Sequence, residues 1–282
     1  MKLLRYGPPG QEKPALVAAD GSLRDLSVHV PDISPWVLDP KALDELRALD
    51  PASLPKVEDG VRIGTPIANI GKLICVGLNY ADHAKESNLP VPSEPVLFMK
   101  ATSAICGPND TVIIPRGSEK TDWEVELGIV IGRKAQYVER EQALEHVAGY
   151  CIVNDVSERA YQLERGGTWD KGKGCDTFAP IGPWLVTPDE IADLRNLDMH
   201  LSVNGETRQN GNTRTMIFSI DEIVSYISQF MTLNPGDVIC TGTPPGVGAG
   251  MQPPQFLKPG DRMCLSISGL GEQRQNVVAW QR

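Results

Sequence analysis

The chain has 282 residues, of which 41% are hydrophobic and 22% are charged, and its formal net charge is −9. Such a chain can bury the core of one large domain, alone or with a small one. The acidic balance argues against a general attraction to nucleic acid or to an anionic membrane. No apolar run approaches the roughly 18 residues that a bilayer span needs, and the N-terminus is too short and polar for a signal peptide. We therefore expect a cytoplasmic protein with neither nucleic acid nor membrane as a partner.

Cysteines and histidines limit the kinds of metal site that the chain can build. The six cysteines are scattered without a C-x-x-C pair, so we expect buried thiols rather than disulfides or zinc ligands. None of the four histidines has the spacing of a zinc motif. Any metal site should therefore consist mainly of oxygen ligands.

Residues 1–70 are predicted to form a small α+β N-terminal domain. Strand-like residues 14–19 and 22–26 flank an Asp20-Gly21 pair, which is a strong signal for a β-hairpin. Leucines at three-residue spacing in residues 40–49 indicate a short amphipathic helix. No chemistry is evident in this segment, so packing, oligomerisation or a wall of a site are its expected roles.

Residues 71–282 are predicted to form one mostly β domain, which makes the whole chain an α+β protein. Short strands are predicted at residues 72–77, 96–100, 111–114 and 149–155. Pro-Gly-Asp turns that feed strands recur at residues 235–237 and 259–261. Helices are predicted at residues 79–88, 139–147 and 221–230, the last with a capping acid at its start. The proline-rich residues 85–95 are expected to form a lid over a site.

Two acidic residues share one face of a predicted strand. Apolar residues alternate from Val125 to Ile131, which is typical of a half-buried strand and places Glu124 and Glu126 together on the opposite face. Like charges this close raise each other's cost of ionisation, which a cation between them removes. A solvated sheet face with two surface acids is the alternative.

Asp155 ends a predicted strand 29 positions after Glu126. If the intervening helix brings the two strands together, three carboxylates converge with no histidine nearby. Such a site suits Mg²⁺ or Mn²⁺, accepts Ca²⁺ and disfavours zinc. A turn-forming or helix-capping role for Asp155 is the alternative.

Three further features have the residue types of a catalytic site. His83 and Glu86 share a helical face, and a carboxylate beside an imidazole favours a general base. Lys173, between glycines, is suited to stabilise an enolate or an oxyanion. Residues 241–248 offer backbone N–H groups that could cradle a carboxylate, without the spacing of a nucleotide-binding loop. The alternatives are a helix-surface pair, a solvated lysine and a plain connecting loop.

Five motifs, taken together and in order, resemble the fumarylacetoacetate hydrolase superfamily over residues 72 to about 275. They are Gly77-Leu78-Asn79-Tyr80-x-x-His83-Ala84-x-Glu86, Trp123-Glu124-x-Glu126-Leu127, Asn154-Asp155-x-Ser157-x-Arg159-x-x-Gln162, Gly172-Lys173-x-x-Asp176-Thr177-Phe178 and Thr241-Gly242-Thr243-Pro244-x-Gly246-Val247-Gly248. Animal fumarylacetoacetate hydrolases have a fourth acidic metal ligand where this chain has Val76, and they pair the histidine with a distant glutamate. The chain thus resembles the short bacterial branch. The resemblance implies a mixed β-sandwich or β-roll catalytic domain and a homodimer.

The resemblance also assigns roles to the residues. Three would hold Mg²⁺ or Mn²⁺: Glu124, Glu126 and Asp155. Three would be catalytic: His83, Glu86 and Lys173. Four would contact the substrate: Arg159, Gln162, Gly242 and Thr243.

The activity implied is hydrolysis of a small 2,4-diketo acid to pyruvate and a second acid by water that His83 activates. The short branch includes acylpyruvases, fumarylpyruvate hydrolases, oxaloacetate decarboxylases and hydrolases of 2,4-diketo-3-deoxy sugar acids, and fumarylacetoacetate itself is not the favoured substrate. The extra N-terminal unit and residues 212–218 look most like the sugar-acid enzymes. Decarboxylation of a β-keto acid, tautomerisation of a 2-oxo acid and a non-catalytic binding role are the alternatives.

Overall fold

The computed structural model describes residues 1–86 and 90–282, so residues 87–89 of the predicted lid lie outside the described part. The strands, β1 to β17 in chain order, are Lys2–Tyr6, Lys13–Val17, Leu23–Asp25, Leu73–Gly77, Val96–Lys100, Ile105–Cys106, Val112–Ile114, Thr121–Asp122, Val125–Ile131, Val147–Asn154, Ser157–Glu158, Ala179–Val186, Asp198–Val203, Glu206–Asn212, Val238–Cys240, Arg262–Ile267 and Gly271–Ala279. The α-helices, α1 to α5, are Pro40–Arg47, Ala81–Glu86, Arg159–Leu163, Asp170–Lys173 and Ile220–Ser228. Short 3₁₀ helices cover Pro35–Leu38, Pro51–Ser53, Thr102–Ala104, Arg140–His146, Pro188–Glu190, Thr213–Thr215 and Gly248–Gly250.

A ten-stranded mixed sheet forms the centre of the molecule. Its strand order is β3-β2-β1-β12-β10-β9-β15-β4-β5, and β6 pairs with β12. A five-stranded sheet of order β14-β13-β16-β17-β7 packs against it, with β13 and β16 contacting β9. Strands hold 33% of the residues and helices 21%, so the predicted mostly β class is confirmed. None of the helices in the described part of the chain has the length and apolar character of a membrane span.

The N-terminal segment extends the large sheet. The predicted hairpin is present, because β2 and β3 pair antiparallel with Ala15 opposite Asp25. Strand β1 pairs with β12 of the following unit, with Leu3 opposite Leu185, and Leu3 is part of the main core. Residues 1–70 therefore share a sheet with the rest of the chain, and a domain boundary at residue 70 stays a prediction.

Several local predictions need correction. Strand β9 is buried on both faces rather than half-buried, because it lies within the large sheet and the five-stranded sheet covers it. The helix expected at residues 139–147 is a 3₁₀ helix, although it does connect β9 to β10 as predicted. Asp221 is not the cap of α5: Ser219 is, and Asp221 instead binds Arg140 at 2.6 Å. All six cysteines are free, but Cys106, Cys175 and Cys264 are only partly buried.

Asn79 braces the region where β4 and β15 end. Its buried amide nitrogen donates to the carbonyls of Phe218 at 3.1 Å and Thr241 at 2.8 Å, and its amide oxygen accepts from the Phe218 N–H at 2.7 Å. Gly242 lies against it with φ of +95°, where an added Cβ would be 2.9 Å from the Asn79 Cβ. One side chain thus joins three segments around the cavity described below.

Removal of this brace should destabilise the protein. Asn79→Ala leaves buried backbone groups of Phe218 and Thr241 unpaired, so we expect the free energy of unfolding to fall by about 2–4 kcal/mol in urea denaturation. Asn276→Ala, at an exposed position of β17, should change it by less than about 0.5 kcal/mol. Equal losses in the two variants would contradict the brace.

Candidate active site

A cavity of about 450 Å³ opens where β4 and β15 end and β9 begins, and its size suits a small ligand. Nine of the ten residues with predicted roles line it: His83, Glu86, Glu124, Glu126, Arg159, Gln162, Lys173, Gly242 and Thr243. The tenth, Asp155, is fully buried and contacts Lys173. The structure thus brings together residues that lie up to 160 positions apart in the sequence.

Glu124, Glu126 and Asp155 form a buried carboxylate cluster. The antiparallel pairing of β9 with β10 sets Val125 opposite Asn154, and the Asp155 N–H donates to the Glu124 carbonyl at 2.9 Å. One carboxylate oxygen from each residue lies within 4.8 Å of the others. Burial excludes the reading of Glu124 and Glu126 as surface acids. Asp155 is not a helix cap either, since Glu158 caps α3.

Buried cations offset two of these three carboxylates. Lys173 Nζ lies 2.8 Å from Glu124 Oε2 and 2.7 Å from Asp155 Oδ2. Lys100 Nζ lies 2.5 Å from Asp155 Oδ1, and Arg159 Nη2 lies 2.7 Å from Glu124 Oε1. Although burial raises the pKa of Glu124, the charges of Lys173 and Arg159 outweigh it and lower this pKa to about 2. Burial likewise opposes the charge of Lys173, but Asp155 and Glu124 raise its pKa, so the lysine stays charged.

Glu126 has a different environment from the other two carboxylates. It accepts the Gly242 N–H at 2.9 Å, and no cationic side chain of the described residues forms an ion pair with it. Burial, followed by the charges of Asp155 and Glu124, raises its pKa well above the usual value. The cluster thus offers three hard oxygen donors, one of them without a charge partner. This donor set fits Mg²⁺ or Mn²⁺.

His83 and Glu86 lie on α2 at the side of the same cavity. His83 Nδ1 is 3.1 Å from Glu86 Oε2, and the Glu86 carboxylate accepts the Gly246 N–H at 3.0 Å. Burial raises the pKa of Glu86, but the hydrogen bonds from His83 and Gly246 outweigh it and lower this pKa below its usual value. The pair is therefore an imidazole held by an ionised carboxylate.

The glycine-rich loop after β15 does not offer the free backbone N–H groups expected from its sequence. Gly242 donates to Glu126 and Gly246 to Glu86, while Gly248 and Ala249 donate to Asp122 at 2.7 and 3.0 Å. These bonds form because the loop folds over carboxylates from three other segments. The loop therefore positions carboxylates of the site itself, and binding of a substrate carboxylate by Gly242 and Thr243 stays a prediction.

Two site residues escaped the sequence analysis. Lys100 ends β5 after an apolar run, and nothing in that run points to Asp155, 55 positions later. Asp122 is fully buried and binds Arg159 at 2.8 Å. In the sequence, only its position next to the Trp123-Glu124 motif could have pointed to Asp122 as a site residue. The Arg159 guanidinium contacts Asp122, Glu124 and Gln162, and its predicted contact with a substrate stays a prediction.

The remaining predicted contacts are Thr243 and Gln162. The Thr243 hydroxyl donates to the Val125 carbonyl at 2.9 Å and accepts from Gln209 at 2.8 Å, so it fixes the loop to the start of β9. Gln162 is buried and lines the cavity beside Arg159.

Comparison with known proteins agrees with this architecture. Residues 72–278 match the family described as fumarylacetoacetate (FAA) hydrolase C-terminal. A Burkholderia multivorans protein, named as a hydrolase without a stated substrate, is 62% identical over 276 residues, which cover 98% of each chain. The structure of fumarylacetoacetate hydrolase from Exiguobacterium antarcticum is 38% identical, with a TM-score of 0.88, over 99% of this chain and 100% of that one. Maleylpyruvate hydrolase from Sphingobium sp. SYK-6, solved with manganese(II) and pyruvate, is 30% identical, with a TM-score of 0.83, over 100% of both chains. The chain therefore has the predicted fold and is an enzyme of the fumarylacetoacetate hydrolase family.

Proposed function

We propose that this enzyme is a metal-dependent hydrolase that cleaves a carbon–carbon bond of a 2,4-diketo acid and releases pyruvate and a second acid. The observation that carries the proposal is that the His83–Glu86 pair and the carboxylate cluster line one cavity. Hydrolysis of a chelating 2-oxo acid requires a general base and a site for a hard cation that both reach the same bound substrate. The manganese and pyruvate bound by the maleylpyruvate hydrolase support this reading.

Glu124, Glu126 and Asp155 would hold the metal ion. Bound there, Mg²⁺ or Mn²⁺ would polarise the 2-oxo group of the substrate. Lys173 and Arg159 keep Glu124 ionised, and the ion pairs with Lys100 and Lys173 orient Asp155 for this role. Arg159 is thus a positioning residue, which acts through Glu124.

In the proposed hydrolysis, the first proton transfer is from water to His83. Glu86 accepts a hydrogen bond from the Nδ1–H group of His83, a tautomer in which Nε2 is unprotonated and able to take a proton from water. The resulting hydroxide attacks the 4-carbonyl, and cleavage of the bond between C3 and C4 leaves the electron pair on C3 of the pyruvyl fragment. The charged Lys173 lines the cavity and offsets this negative charge. The imidazolium of His83 then returns the proton to C3, so that one water is consumed per cleavage.

Loss of the base should slow hydrolysis strongly and leave the affinity for the metal ion unchanged. For His83→Gln we expect kcat to fall by about 10²–10⁴-fold, with Mn²⁺ affinity retained, because His83 is not a ligand in this account. The measurement is a coupled pyruvate assay on a panel of acylpyruvates and 2,4-diketo-3-deoxy-aldonates, with and without Mg²⁺. His29→Gln, at an exposed position, is the matched control and should retain full activity.

Two results, the first from this assay and the second from CO₂ detection and NMR on the same substrates, would contradict the proposal. Turnover of His83→Gln close to that of the wild type would remove the base from the mechanism. Release of CO₂, or keto–enol exchange without release of pyruvate, would instead make the enzyme a decarboxylase or a tautomerase on the same site.

Metal binding should release a proton from Glu126. Because burial and its acidic neighbours raise the pKa of Glu126, the carboxyl group of the metal-free protein retains its proton above the usual pH range, and the cation must displace that proton. Affinity for Mn²⁺ should therefore rise with pH. Calorimetry in buffers of different ionisation enthalpy should show a buffer-dependent binding enthalpy, which Glu126→Gln removes while it also weakens binding. A wild-type enthalpy that is the same in all buffers would rule this out.

A further inference from the structure

We propose that the diketo acid taken by this cavity carries an uncharged, apolar acyl tail, alkyl or aryl, and that Phe98 and Trp169 select it. The inference rests on the proposed function, in which the 2-oxo acid end of the substrate, here called its head, lies at the carboxylate cluster. It concerns the part of the cavity beyond that cluster.

An aromatic wall, formed by Phe98 and Trp169, starts beside the carboxylate cluster. The Phe98 ring centroid is 5.0 Å from Lys173 Nζ, and Lys173 contacts Glu124 and Asp155. The Phe98 and Trp169 rings meet edge to face, with centroids 5.2 Å apart and planes at 61°. Both rings line the cavity. A substrate anchored at the cluster therefore meets an apolar surface next to its head.

The fold holds this aromatic wall in place. Phe98 belongs to β5 and pairs with Cys75 of β4. Trp169 lies directly against the end of β4, where an added Cβ on Gly77 would be 2.7 Å from the indole ring. Leu78, Leu163 and Val247 also line the cavity and extend its apolar surface. Rigid aromatic groups on packed elements are suited to select a tail by shape and polarity.

A carboxylate at the end of the tail would find no free cation here. Among the described residues that line the cavity, the cationic side chains are Lys173 and Arg159, and both are already in ion pairs with Glu124. Arg165, in the loop after α3, stacks on Tyr161 at 4.6 Å, and Lys171 of α4 donates to the Arg165 carbonyl at 2.7 Å. Transfer of an unpaired carboxylate into such a site is costly, so a dicarboxylic substrate is disfavoured.

The run from Asn212 to Phe218, which suggested a sugar acid, contributes no residue to the cavity lining among the described residues. Phe218 instead completes the Asn79 brace, and Asn212 binds Asp198 at 2.7 Å. The resemblance of this run to sugar-acid enzymes thus reflects packing rather than recognition of hydroxyl groups.

The test compares two 2-oxo acids of equal length, 2-oxooctanoate and 2-oxosuberate, which differ by a terminal carboxylate. Neither has a 4-oxo group, so neither is cleaved, and calorimetry with the Mn²⁺-saturated enzyme reads binding alone. We expect 2-oxooctanoate to bind at least about tenfold more tightly than 2-oxosuberate. Trp169→Ala should reduce this ratio to about twofold. Trp36→Ala, which removes an indole that is 88% exposed and outside the cavity lining, should leave the ratio unchanged.

A second variant protects the test against misfolding of Trp169→Ala. Leu163 is 61% exposed and lines the cavity, so Leu163→Lys should fold normally and raise the affinity for 2-oxosuberate by about tenfold. Equal binding of the two acids, tighter binding of 2-oxosuberate, or no gain in Leu163→Lys would overturn the inference. Failure of the proposed hydrolysis would appear separately, as absence of pyruvate release from every acylpyruvate while the binding preference persists.

Discussion

The balance of charge in a fully buried site is the constraint on which this structure depends. Four buried carboxylates (Asp122, Glu124, Glu126 and Asp155) lie in one network with three buried cations (Lys100, Arg159 and Lys173). Removal of charges from water costs several kcal/mol each, unless partners compensate. Cations compensate Asp155 and Glu124, whereas Glu126 has no cationic partner among the described residues and keeps its proton instead. A divalent cation bound to the cluster would displace that proton and pair with the Glu126 carboxylate, and this is the physical reason to regard the cluster as a proposed metal site.

The same network connects the metal site to the proposed base. Glu124 binds Arg159, which binds Asp122, and Asp122 holds the N–H groups of Gly248 and Ala249. Two residues earlier in this loop, Gly246 donates to Glu86, which orients His83. The glycine-rich loop thus fixes the distance between the base and the carboxylates. Such fixed positioning is what an enzyme needs to bring water and a chelated carbonyl together. The aromatic wall of Phe98 and Trp169 then selects the acyl tail of the substrate whose 2-oxo acid end lies at the carboxylates.

Much of the fold and of the site could be predicted from local pattern. The hairpin in residues 14–26 follows from its Asp-Gly turn. The convergence of Glu124, Glu126 and Asp155 follows once two strands joined by a short helix pair antiparallel. Partners that are distant in sequence could not be found in this way. Lys100 is a single lysine after an apolar strand, and only the tertiary fold brings it to Asp155. The loop N–H groups looked free because their acceptors, Glu86 and Asp122, come from other segments.

We infer that the buried carboxylate cluster binds a divalent cation. The most direct test of this inference is a crystal structure of the enzyme grown with Mn²⁺, with data collected at the manganese absorption edge. We expect one strong anomalous peak, with one carboxylate oxygen of each of Glu124, Glu126 and Asp155 within about 2.2 Å of it. A peak bound by other residues, or a saturating Mn²⁺ concentration that leaves the three carboxylates without a metal ion, would contradict it.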